Sequence, residues 1–342
     1  MLRSGIEQRA FPGASVAVTH RGDLIALKGL GHFTYEAVSP EVTPETIYDL
    51  ASVTKVVATT TACMLLHEQD RFHLEKKIVE VLPEFAGDDP RRMEVTFRML
   101  LAHSSGLPAY VRLFETAKTR QELLVQAFRV PLTAAPSARA EYSDIGFILL
   151  GEALQRITGA MLAEYCRTAI FIPLGIKNMM FNPPSEWITK IPPTENDIAF
   201  RRRIIRGEVN DENAFVMGGA AGHAGSFATA CDVAMFAVNM LRGGSPLLTA
   251  HTVELFTHRE PSPAGTSRAL GWDTPSLPSQ AGKHFSPQSY GHLGYTGTSL
   301  WIDPERQVSV TLLTNRTWPD RGAQAIKQIR PAFHDAVIEA LT

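Results

Sequence analysis

One lysine stands alone in an otherwise uncharged stretch of the chain, and its position constrains both the fold and the chemistry. Lys55 is the one charged residue between Val53 and Leu66, and Ser52 precedes it by three residues. Apolar and small side chains surround the whole helical wheel of this stretch, so we expect a buried helix. A lysine at the buried start of such a helix must be paired, or it must lose its proton.

The spacing of Ser52 and Lys55 brings a hydroxyl and an amine together. Three residues are close to one helical turn, so the two side chains share a face and their polar ends can meet. A hydroxyl beside an amine of lowered pKa is an activated serine nucleophile. The Ser-x-x-Lys pattern is not specific, because about one copy is expected by chance in a chain of this length. Further segments must therefore support the assignment.

A second polar segment precedes another apolar helix. Tyr142 and Asp144 lie just before the periodic stretch 148–154, which places them near a helix start. If these residues have no catalytic role, Asp144 is a simple N-cap and Tyr142 is a core aromatic residue. A third segment, 290–304, is rich in glycine. Its alternative, non-catalytic interpretation is a strand whose missing side chains permit a bulge or a close backbone approach.

The order Ser-x-x-Lys, Tyr-x-(Asn or similar), then His/Lys-x-Gly resembles the serine β-lactamase and penicillin-binding-protein superfamily. The version with tyrosine is similar to class C β-lactamases, D-alanyl-D-alanine peptidases, related esterases and muropeptide amidases. Segments 11–18, 96–108 and 222–230 also look like parts of this family. The resemblance runs from about residue 5 to the C-terminus.

The resemblance implies roles for three residues. Ser52 attacks a carbonyl carbon. Lys55, held neutral by its apolar surroundings and neighbouring donors, accepts the serine proton, and Tyr142 relays it. Whether Lys55 or Tyr142 is the base stays open, because coupled groups titrate as a set. Asp144 occupies the place of the family's asparagine, and an ion pair with Lys55 would raise the lysine pKa and favour Tyr142 as the base.

The same resemblance gives a strand at the edge of the site. His292, Leu293 and Gly294 fill the place of the family's Lys-Thr-Gly, in preference to a register that uses residues 295–297. Gly294 lets the substrate lie along the strand edge. The oxyanion hole then consists of the backbone N–H groups of Ser52 and Tyr295.

His292 is the main departure from a β-lactamase in this strand. We expect it to supply a hydrogen-bond donor and a pH-dependent charge where a β-lactamase has a permanent cation. Leu293 also removes a hydroxyl that would hold a β-lactam carboxylate. Strong β-lactamase activity is therefore not expected.

Strand patterns lie at both ends of the chain and helical patterns lie between them. Two β-rich hairpins and a striped terminal helix are predicted, at 14–30, 298–314 and 323–341. We expect an α+β fold (an α/β sandwich, β-lactamase/transpeptidase-like), in which helices flank an antiparallel sheet built from both chain ends and a mostly helical lobe is inserted. The predicted domains are a sheet domain of residues 1–56 and 225–342, and a lobe of residues 57–224 with a long loop at 181–215.

Four arginines lie in that irregular loop, at positions 201, 202, 203 and 206. They form either a solvated surface turn or a clamp for a carboxylate or other anion of the substrate. Asp211, Glu212, Asn213 and His223 follow nearby, and Glu195 precedes them, without a role that the sequence assigns.

Net charge, hydropathy and cysteine content limit the possible partners, location and cofactors of the protein. A formal net charge of −2 gives no reason to expect nucleic-acid binding, and no apolar run is long enough to cross a membrane. The N-terminus lacks the apolar core of a signal peptide, so we expect a cytoplasmic protein, or an exported or periplasmic one whose signal has been removed. Three isolated cysteines predict free buried thiols, and no spacing predicts a metal or cofactor.

The sequence thus predicts a serine hydrolase that cleaves an amide or ester through an acyl-serine. Peptidoglycan-derived amides (muropeptides) and small esters are the expected substrates. The alternatives are a penicillin-binding sensor that is acylated without turnover, and a true class C-like β-lactamase. The sequence gives no oligomeric state.

Overall fold

A five-stranded antiparallel sheet joins the two ends of the chain. The computed structural model describes residues 1–276 and 278–341, and the strand order in this sheet is β2-β1-β10-β9-β8. All strands are, in chain order, β1 Gly13–His20, β2 Asp23–Gly31, β3 Tyr48–Asp49, β4 Met180–Phe181, β5 Glu195–Asp197, β6 Arg203–Ile205, β7 Ser226–Ala228, β8 Tyr290–Leu293, β9 Ser299–Asp303 and β10 Val308–Thr314. Both predicted hairpins are confirmed, as β1–β2 and β9–β10.

Helices cover both faces of this sheet and fill the middle of the chain. They are α1 Leu2–Glu7, α2 Thr61–Glu68, α3 Phe97–Leu101, α4 Arg120–Arg129, α5 Asp144–Thr158, α6 Leu162–Cys166, α7 Glu212–Val216, α8 Ala230–Leu241, α9 Ala250–Thr257 and α10 Ile326–Glu339. The α+β fold with a sheet built from both chain ends is confirmed, and so is the terminal helix, α10.

Side chains of β1 alternate between the two faces of the sheet, and each set packs against a different layer of helices. Ala14 and Val16 pack with residues of α1 and α10, whereas Ala17 joins the main core on the other face. Helix α8 packs against β1, β9 and β10 on that second face. Because successive residues of a strand point to opposite sides, one short strand supplies both cores.

The predicted buried helix after Ser52 is helical throughout but not regular. It starts as a 3₁₀ turn at Ala51–Val53, continues as a π-helix at Lys55–Thr60 and ends as α2. Every side chain from Val53 to Leu66 is buried. Short π segments inside helices are frequently found at functional sites.

The segment 181–215 is more ordered than the irregular loop that its prolines and arginines predict. It contains a 3₁₀ turn at Ser185–Lys190, the hairpin of β5 and β6, and the start of α7. The two strands have three residues each, too few for an alternating pattern to be recognised in the sequence.

The cysteines and the apolar helices complete the description. Cys63, Cys166 and Cys231 are free thiols, as predicted; the first two are buried and the third is half-buried. Within residues 1–276 and 278–341, no single helix is long and apolar enough to cross a membrane. Helix α5 and the segment Leu162–Phe171 would be so only if taken together, and a 73° bend separates them.

Candidate active site

Ser52 lies at a tight turn between β3 and the buried helix. The residue before it, Ala51, has a φ of +47°, a conformation that side chains other than glycine adopt rarely. Asp49 holds this turn, because its Oδ1 accepts a hydrogen bond from the Ala51 N–H at 2.8 Å. Its Oδ2 accepts another from the Asn210 N–H at 2.6 Å. Burial raises the pKa of Asp49 to about 6.

Lys55 is fully buried and donates in three directions. Its Nζ lies 3.0 Å from Ser52 Oγ, 2.6 Å from Asp144 Oδ1 and 3.0 Å from the carbonyl oxygen of His223. An ammonium has three hydrogens, so these three acceptors use all of them. The contact that the Ser-x-x-Lys spacing predicted is present.

The ion pair with Asp144 determines the charge of Lys55. Burial alone lowers the pKa of the lysine, but the charge and hydrogen bond of Asp144, together with Tyr142, outweigh burial and raise the pKa above its ordinary value. Lys55 is therefore an ammonium at neutral pH, not the neutral amine that apolar surroundings alone would give. Of the two sequence alternatives, the ion pair is the one present.

The start of α5 orients both Tyr142 and Asp144. The N-cap of this helix is Ser143, whose Oγ accepts a hydrogen bond from the Gly146 N–H at 3.1 Å. Asp144 is thus not the cap, and its carboxylate is free to turn towards Lys55. The adjacent residues Ser143 and Asp144 therefore have separate functions, one as the helix cap and the other as the partner of Lys55.

Tyr142 lies beside Ser52 and Lys55. The lysine Nζ is 4.9 Å from the centroid of the Tyr142 ring. Burial raises the pKa of Tyr142 to about 12, although the charge of Lys55 acts in the opposite direction. The phenol is therefore protonated in the resting protein.

His103 braces Tyr142 from behind. Its ring lies 4.6 Å from the Tyr142 ring, and its Nδ1 accepts a hydrogen bond from the Ser143 N–H at 3.0 Å. Burial, together with the charges of Arg268 and Lys55, lowers the pKa of His103 well below the ordinary value. The histidine is a neutral packing and hydrogen-bonding residue here.

The edge strand β8 passes along the other side of Ser52. His292 lies within β8, whereas residues 295–297 form the turn to β9. Burial and the charges of Lys55 and Arg268 lower the pKa of His292 well below the ordinary value. Its Nδ1 donates to the Leu293 carbonyl at 2.7 Å, so the neutral ring presents Nε2 as an acceptor. This differs from the donor and pH-dependent charge that the sequence led us to expect.

Backbone packing requires Gly294 to be a glycine. A Cβ at this position would collide with Thr298 Oγ1 and would lie 2.6 Å from the carbonyl oxygen of Leu50. Thr298 Oγ1 donates to that same carbonyl at 2.9 Å, and Thr296 Oγ1 donates to the carbonyl of Asp49 at 2.9 Å. The β8–β9 turn is thereby fastened to the residues that precede Ser52.

Two backbone amides remain available next to the serine. The N–H groups of Ser52 and Tyr295 form no backbone hydrogen bond within the part of the chain that the structure describes. Tyr295 is half exposed, with 51% of its surface accessible. These are the two donors that the sequence placed in an oxyanion hole.

A cavity of about 630 Å³ opens over Ser52. The predicted site residues line it, apart from Lys55, which lies beneath the serine. Charged residues that the sequence did not single out, or left without a role, line it as well: Asp211, Glu212, Arg268, Asp273, Arg316, Arg321, Lys327 and Arg330. Arg316 had a recognisable signal, since it lies in a polar run directly after the buried strand β10.

Half-buried Asp211 and buried His223 form a second pair beside the lysine. Asp211 Oδ1 accepts from His223 Nε2 at 2.8 Å and from the Ala214 N–H at 2.8 Å. Burial raises the pKa of Asp211, but these contacts outweigh burial and lower the pKa to about 2. Since the His223 carbonyl accepts from Lys55, this pair holds one wall of the site.

The four arginines of segment 181–215 do not form an anion clamp at this cavity, which was one of the two alternatives from the sequence. Arg201 pairs with Asp197 at 2.9 Å, Arg203 pairs with Glu208, and Arg206 Nε donates to the Ile191 carbonyl at 2.6 Å. The described residues that line the cavity over Ser52 include none of these three, nor Arg202. The clamp hypothesis is wrong because acids and carbonyls of the same segment satisfy these arginines.

Comparison with known proteins agrees with this geometry. The family model described as Beta-lactamase matches residues 1–332. The Escherichia coli (strain K12) protein named "Putative D-alanyl-D-alanine carboxypeptidase" is 33% identical over 307 residues, which cover 81% of this chain and 70% of that protein. The Bacillus subtilis (strain 168) protein named "N-acetylmuramyl-L-alanine amidase" is 31% identical over 344 residues, covering 90% of this chain and 77% of that protein.

A solved structure shares the fold. The structure titled "EstCE1, a hydrolase with promiscuous acyltransferase activity" has a TM-score of 0.79 at 22% identity, and the match covers 98% of this chain and 96% of that one. The family match extends over nearly the whole sequence, and both relatives exceed 30% identity. The chain therefore belongs to the beta-lactamase family of serine hydrolases.

Proposed function

We propose that this chain hydrolyses amide or ester bonds of peptidoglycan-derived peptides through an acyl-serine formed on Ser52. The observation that carries this proposal is the 3.0 Å contact between the Ser52 hydroxyl and the buried Lys55 ammonium, at the wall of a cavity of about 630 Å³. The names of the carboxypeptidase and amidase relatives support a cell-wall peptide as the substrate class. Small esters are the other substrates that such a site would accept.

In the proposed acylation step, Ser52 Oγ attacks the carbonyl carbon and its proton passes to the phenolate oxygen of Tyr142. The bond to the leaving amine or alcohol then breaks, and Tyr142 returns the proton to that leaving group. Water repeats the sequence on the acyl-serine. Lys55 stays an ammonium and stabilises negative charge on the serine and tyrosine oxygens.

Tyr142 is favoured as the base because Lys55 has no free lone pair in the resting site. All three lysine hydrogens are donated, and Asp144 raises the pKa of the lysine. The pKa of Tyr142 is also high, at about 12. Because the groups interact, they titrate as a set, and the active protonation state is populated mainly at alkaline pH.

The N–H groups of Ser52 and Tyr295 are the proposed donors to the oxyanion. Neither is used in a backbone hydrogen bond with a described residue. Thr296 and Thr298 fasten the two segments together, which supports a fixed spacing between the donors. One such donor typically contributes roughly 10²–10³ in rate.

β-Lactams are proposed to be poor substrates. A β-lactam carries a carboxylate, and the neutral ring of His292 offers it no positive charge. Leu293 offers no hydroxyl in the next position. Without that charge and that hydroxyl, acylation by a β-lactam is expected to be slow.

The test is digestion of purified muropeptides by the wild-type protein and by Ser52→Ala, followed by mass spectrometry. We expect a Ser52-dependent loss of an amino acid or peptide from the substrate, and slow turnover of nitrocefin measured in parallel. A burst of nitrocefin acylation without turnover would favour a penicillin-binding sensor. Rapid nitrocefin turnover would favour a true β-lactamase. Equal digestion by both proteins would contradict the proposal.

A further inference from the structure

One buried carboxylate joins three backbone segments that meet at Ser52. Asp49 precedes the serine by three residues and is 1% exposed. Its Oδ1 accepts the Ala51 N–H at 2.8 Å, and its Oδ2 accepts the Asn210 N–H at 2.6 Å. Its own carbonyl accepts a hydrogen bond from Thr296 Oγ1 at 2.9 Å. Asp49 therefore links the turn that carries the serine to the cavity wall and to the β8–β9 turn.

The turn that Asp49 holds is strained. Ala51 has a φ of +47°, and a residue other than glycine keeps this conformation only when its surroundings fix it. The Asp49 Oδ1 atom accepts from the N–H of this same residue, directly before Ser52. A hydrogen bond to an ionised carboxylate is roughly twice as strong as one between neutral groups. The ionised form of Asp49 is therefore the one that best fixes the direction of Ser52.

The second oxygen of the carboxylate holds the segment that supports Lys55. Asp49 Oδ2 contacts the N–H of buried Asn210, and the next residue is Asp211. Asp211 accepts a hydrogen bond from the His223 ring, and the His223 carbonyl accepts one from Lys55. A continuous series of contacts thus runs from the nucleophile turn, through Asp49, to the lysine beneath the serine.

The electrostatic setting of Asp49 makes its ionised form easy to lose. Burial, with a smaller contribution from Asp211, raises the pKa of Asp49 to about 6, against the two N–H contacts and the charge of Arg201. Within the described residues no ion pair involves Asp49, and Arg201 pairs with Asp197 at 2.9 Å. The other titratable side chains of the adjoining segments are Tyr48 on the same strand, Lys55 on the following helix, Glu195 beside Asn210, and Tyr295 on the β8–β9 turn; strand β7 has none.

We propose that Asp49, through its ionised carboxylate, is a positioning residue that holds Ser52 against its base and its oxyanion donors. It acts through the N–H groups of Ala51 and Asn210 rather than on the reacting oxygen. A protonated acid or an amide presents a hydrogen towards one of these N–H groups, which weakens at least one of the two contacts. A displacement of about 1 Å is enough to lower a rate by roughly 100-fold. The inference rests on the proposed acyl-serine chemistry.

The test measures the rate at which a fluorophosphonate labels Ser52, because this electrophile reports on the nucleophile whatever the natural substrate is. In Asp49→Asn we expect the maximal labelling rate at mildly alkaline pH to fall about 10- to 100-fold. The probe concentration that gives half the maximal rate should change little. Labelling is normalised to the folded fraction measured by circular dichroism, so that a loss of folded protein is not counted as a loss of rate.

The pH dependence of labelling in the wild-type protein is a second measurement, and it needs no variant. The rate should fall more steeply, by one additional proton, as pH drops through about 6, the folded-state pKa of Asp49. An acid with a raised pKa is ionised only above that value, so the contribution of the carboxylate is present above about pH 6 and lost below it. Asp49→Asn should lack the additional fall, since an amide does not titrate.

Asp303→Asn is the matched control. Asp303 is fully buried at the end of β9, and its carboxylate accepts the N–H groups of Ser286 at 2.9 Å and Arg306 at 3.0 Å. The described residues that line the cavity over Ser52 do not include it. The same substitution there should leave both the labelling rate and its pH dependence in place.

Four outcomes would overturn the inference. They are equal maximal rates in the wild-type protein and Asp49→Asn, a wild-type profile without the additional fall, an additional fall that persists in the variant, and an equal loss of rate in Asp303→Asn. Each leaves the acyl-serine chemistry standing, because Ser52 is still labelled. An unlabelled Ser52 in the wild-type protein would contradict both the inference and the proposed function.

Discussion

The carboxylate of Asp144 lies 2.6 Å from the ammonium of Lys55, and this ion pair decides which groups are charged around Ser52. An asparagine in this place, as in the family pattern that the sequence resembles, would leave the lysine without a negative partner. The buried amine would then lose its proton more easily. The single replacement of an amide by a carboxylate thus changes the protonation state of the whole site.

Asp144→Asn is expected to shift the pH dependence of the reaction. The wild-type kcat/KM should rise from neutral to alkaline pH, since the pKa of Lys55 is raised and that of Tyr142 is about 12. Asp144 raises both pKa values, so removing its charge lowers both, and the rising limb should move to lower pH. The measurement is kcat/KM for p-nitrophenyl acetate between pH 6 and pH 11, values chosen to span roughly the ordinary range of lysine and tyrosine titration.

Glu141→Gln is the control for that shift. Glu141 is a nearby acid that pairs with Arg139 rather than with Lys55, so its removal should leave the profile in place. An unchanged profile in Asp144→Asn would show that the ion pair does not control the base.

Gly294→Ala is expected to reduce both stability and activity. The added Cβ would collide with Thr298 Oγ1 and would lie 2.6 Å from the Leu50 carbonyl, directly before the nucleophile turn. Overpacking of this kind costs about 1–3 kcal/mol. Denaturant unfolding and kcat would both report the change.

Gly146→Ala tests whether any added methyl group has this effect. Gly146 is helical, and a Cβ there would meet its nearest neighbour at 3.5 Å, an ordinary contact. Alanine is favoured over glycine in a helix, so this variant should be as stable as the wild type or more so. Similar losses in both variants would contradict the account of Gly294.

Asp211→Asn is expected to destabilise the protein in a pH-dependent manner. The folded-state pKa of Asp211, about 2, lies below its ordinary value of 3.8, so its charge stabilises the fold above that ordinary value and the contribution disappears as pH falls through 2. The expected loss at neutral pH is about 2 kcal/mol. The difference from wild type should shrink between pH 4 and pH 2, which are roughly the two pKa values.

Unfolding free energies at several pH values give this comparison. Asp88→Asn, at an exposed position, is the control and should cost little at any pH. A loss in Asp211→Asn that is constant with pH would show that the hydrogen bonds of Asp211, not its charge, carry its effect.

The contact between Ser52 and Lys55 could be predicted because residues three apart lie on one face even of this irregular helical segment. The sheet could be predicted for the same kind of reason, since β1 and β10 alternate or run apolar between clear turns. The position of Tyr142 came from the family resemblance and not from its local pattern. Its alternative, a core aromatic residue, is physically reasonable until α5 is placed beside Lys55.

Site residues that are brought together only by contacts between distant parts of the chain could not be predicted from local patterns. Arg330 shares a helical face with the apolar stripe of α10, and nothing near it in the sequence shows that an open cavity lies alongside. The sequence could not decide between a surface turn and an anion clamp for the arginines after position 200, although the partners Asp197 and Glu208 lie within a few residues of them. A cluster of like charges does not reveal whether its own segment neutralises it.

The most direct test of the central claim is covalent labelling of the nucleophile. A fluorophosphonate probe reacts with an activated serine, and peptide mapping by mass spectrometry identifies the modified residue. We expect one label on Ser52 in the wild-type protein, slower labelling in Tyr142→Phe and none at this position in Ser52→Ala, with kcat lower by roughly 10⁴-fold or more in the last variant. An unlabelled Ser52 in a protein that still turns over substrate, or undiminished turnover in Ser52→Ala, would contradict it.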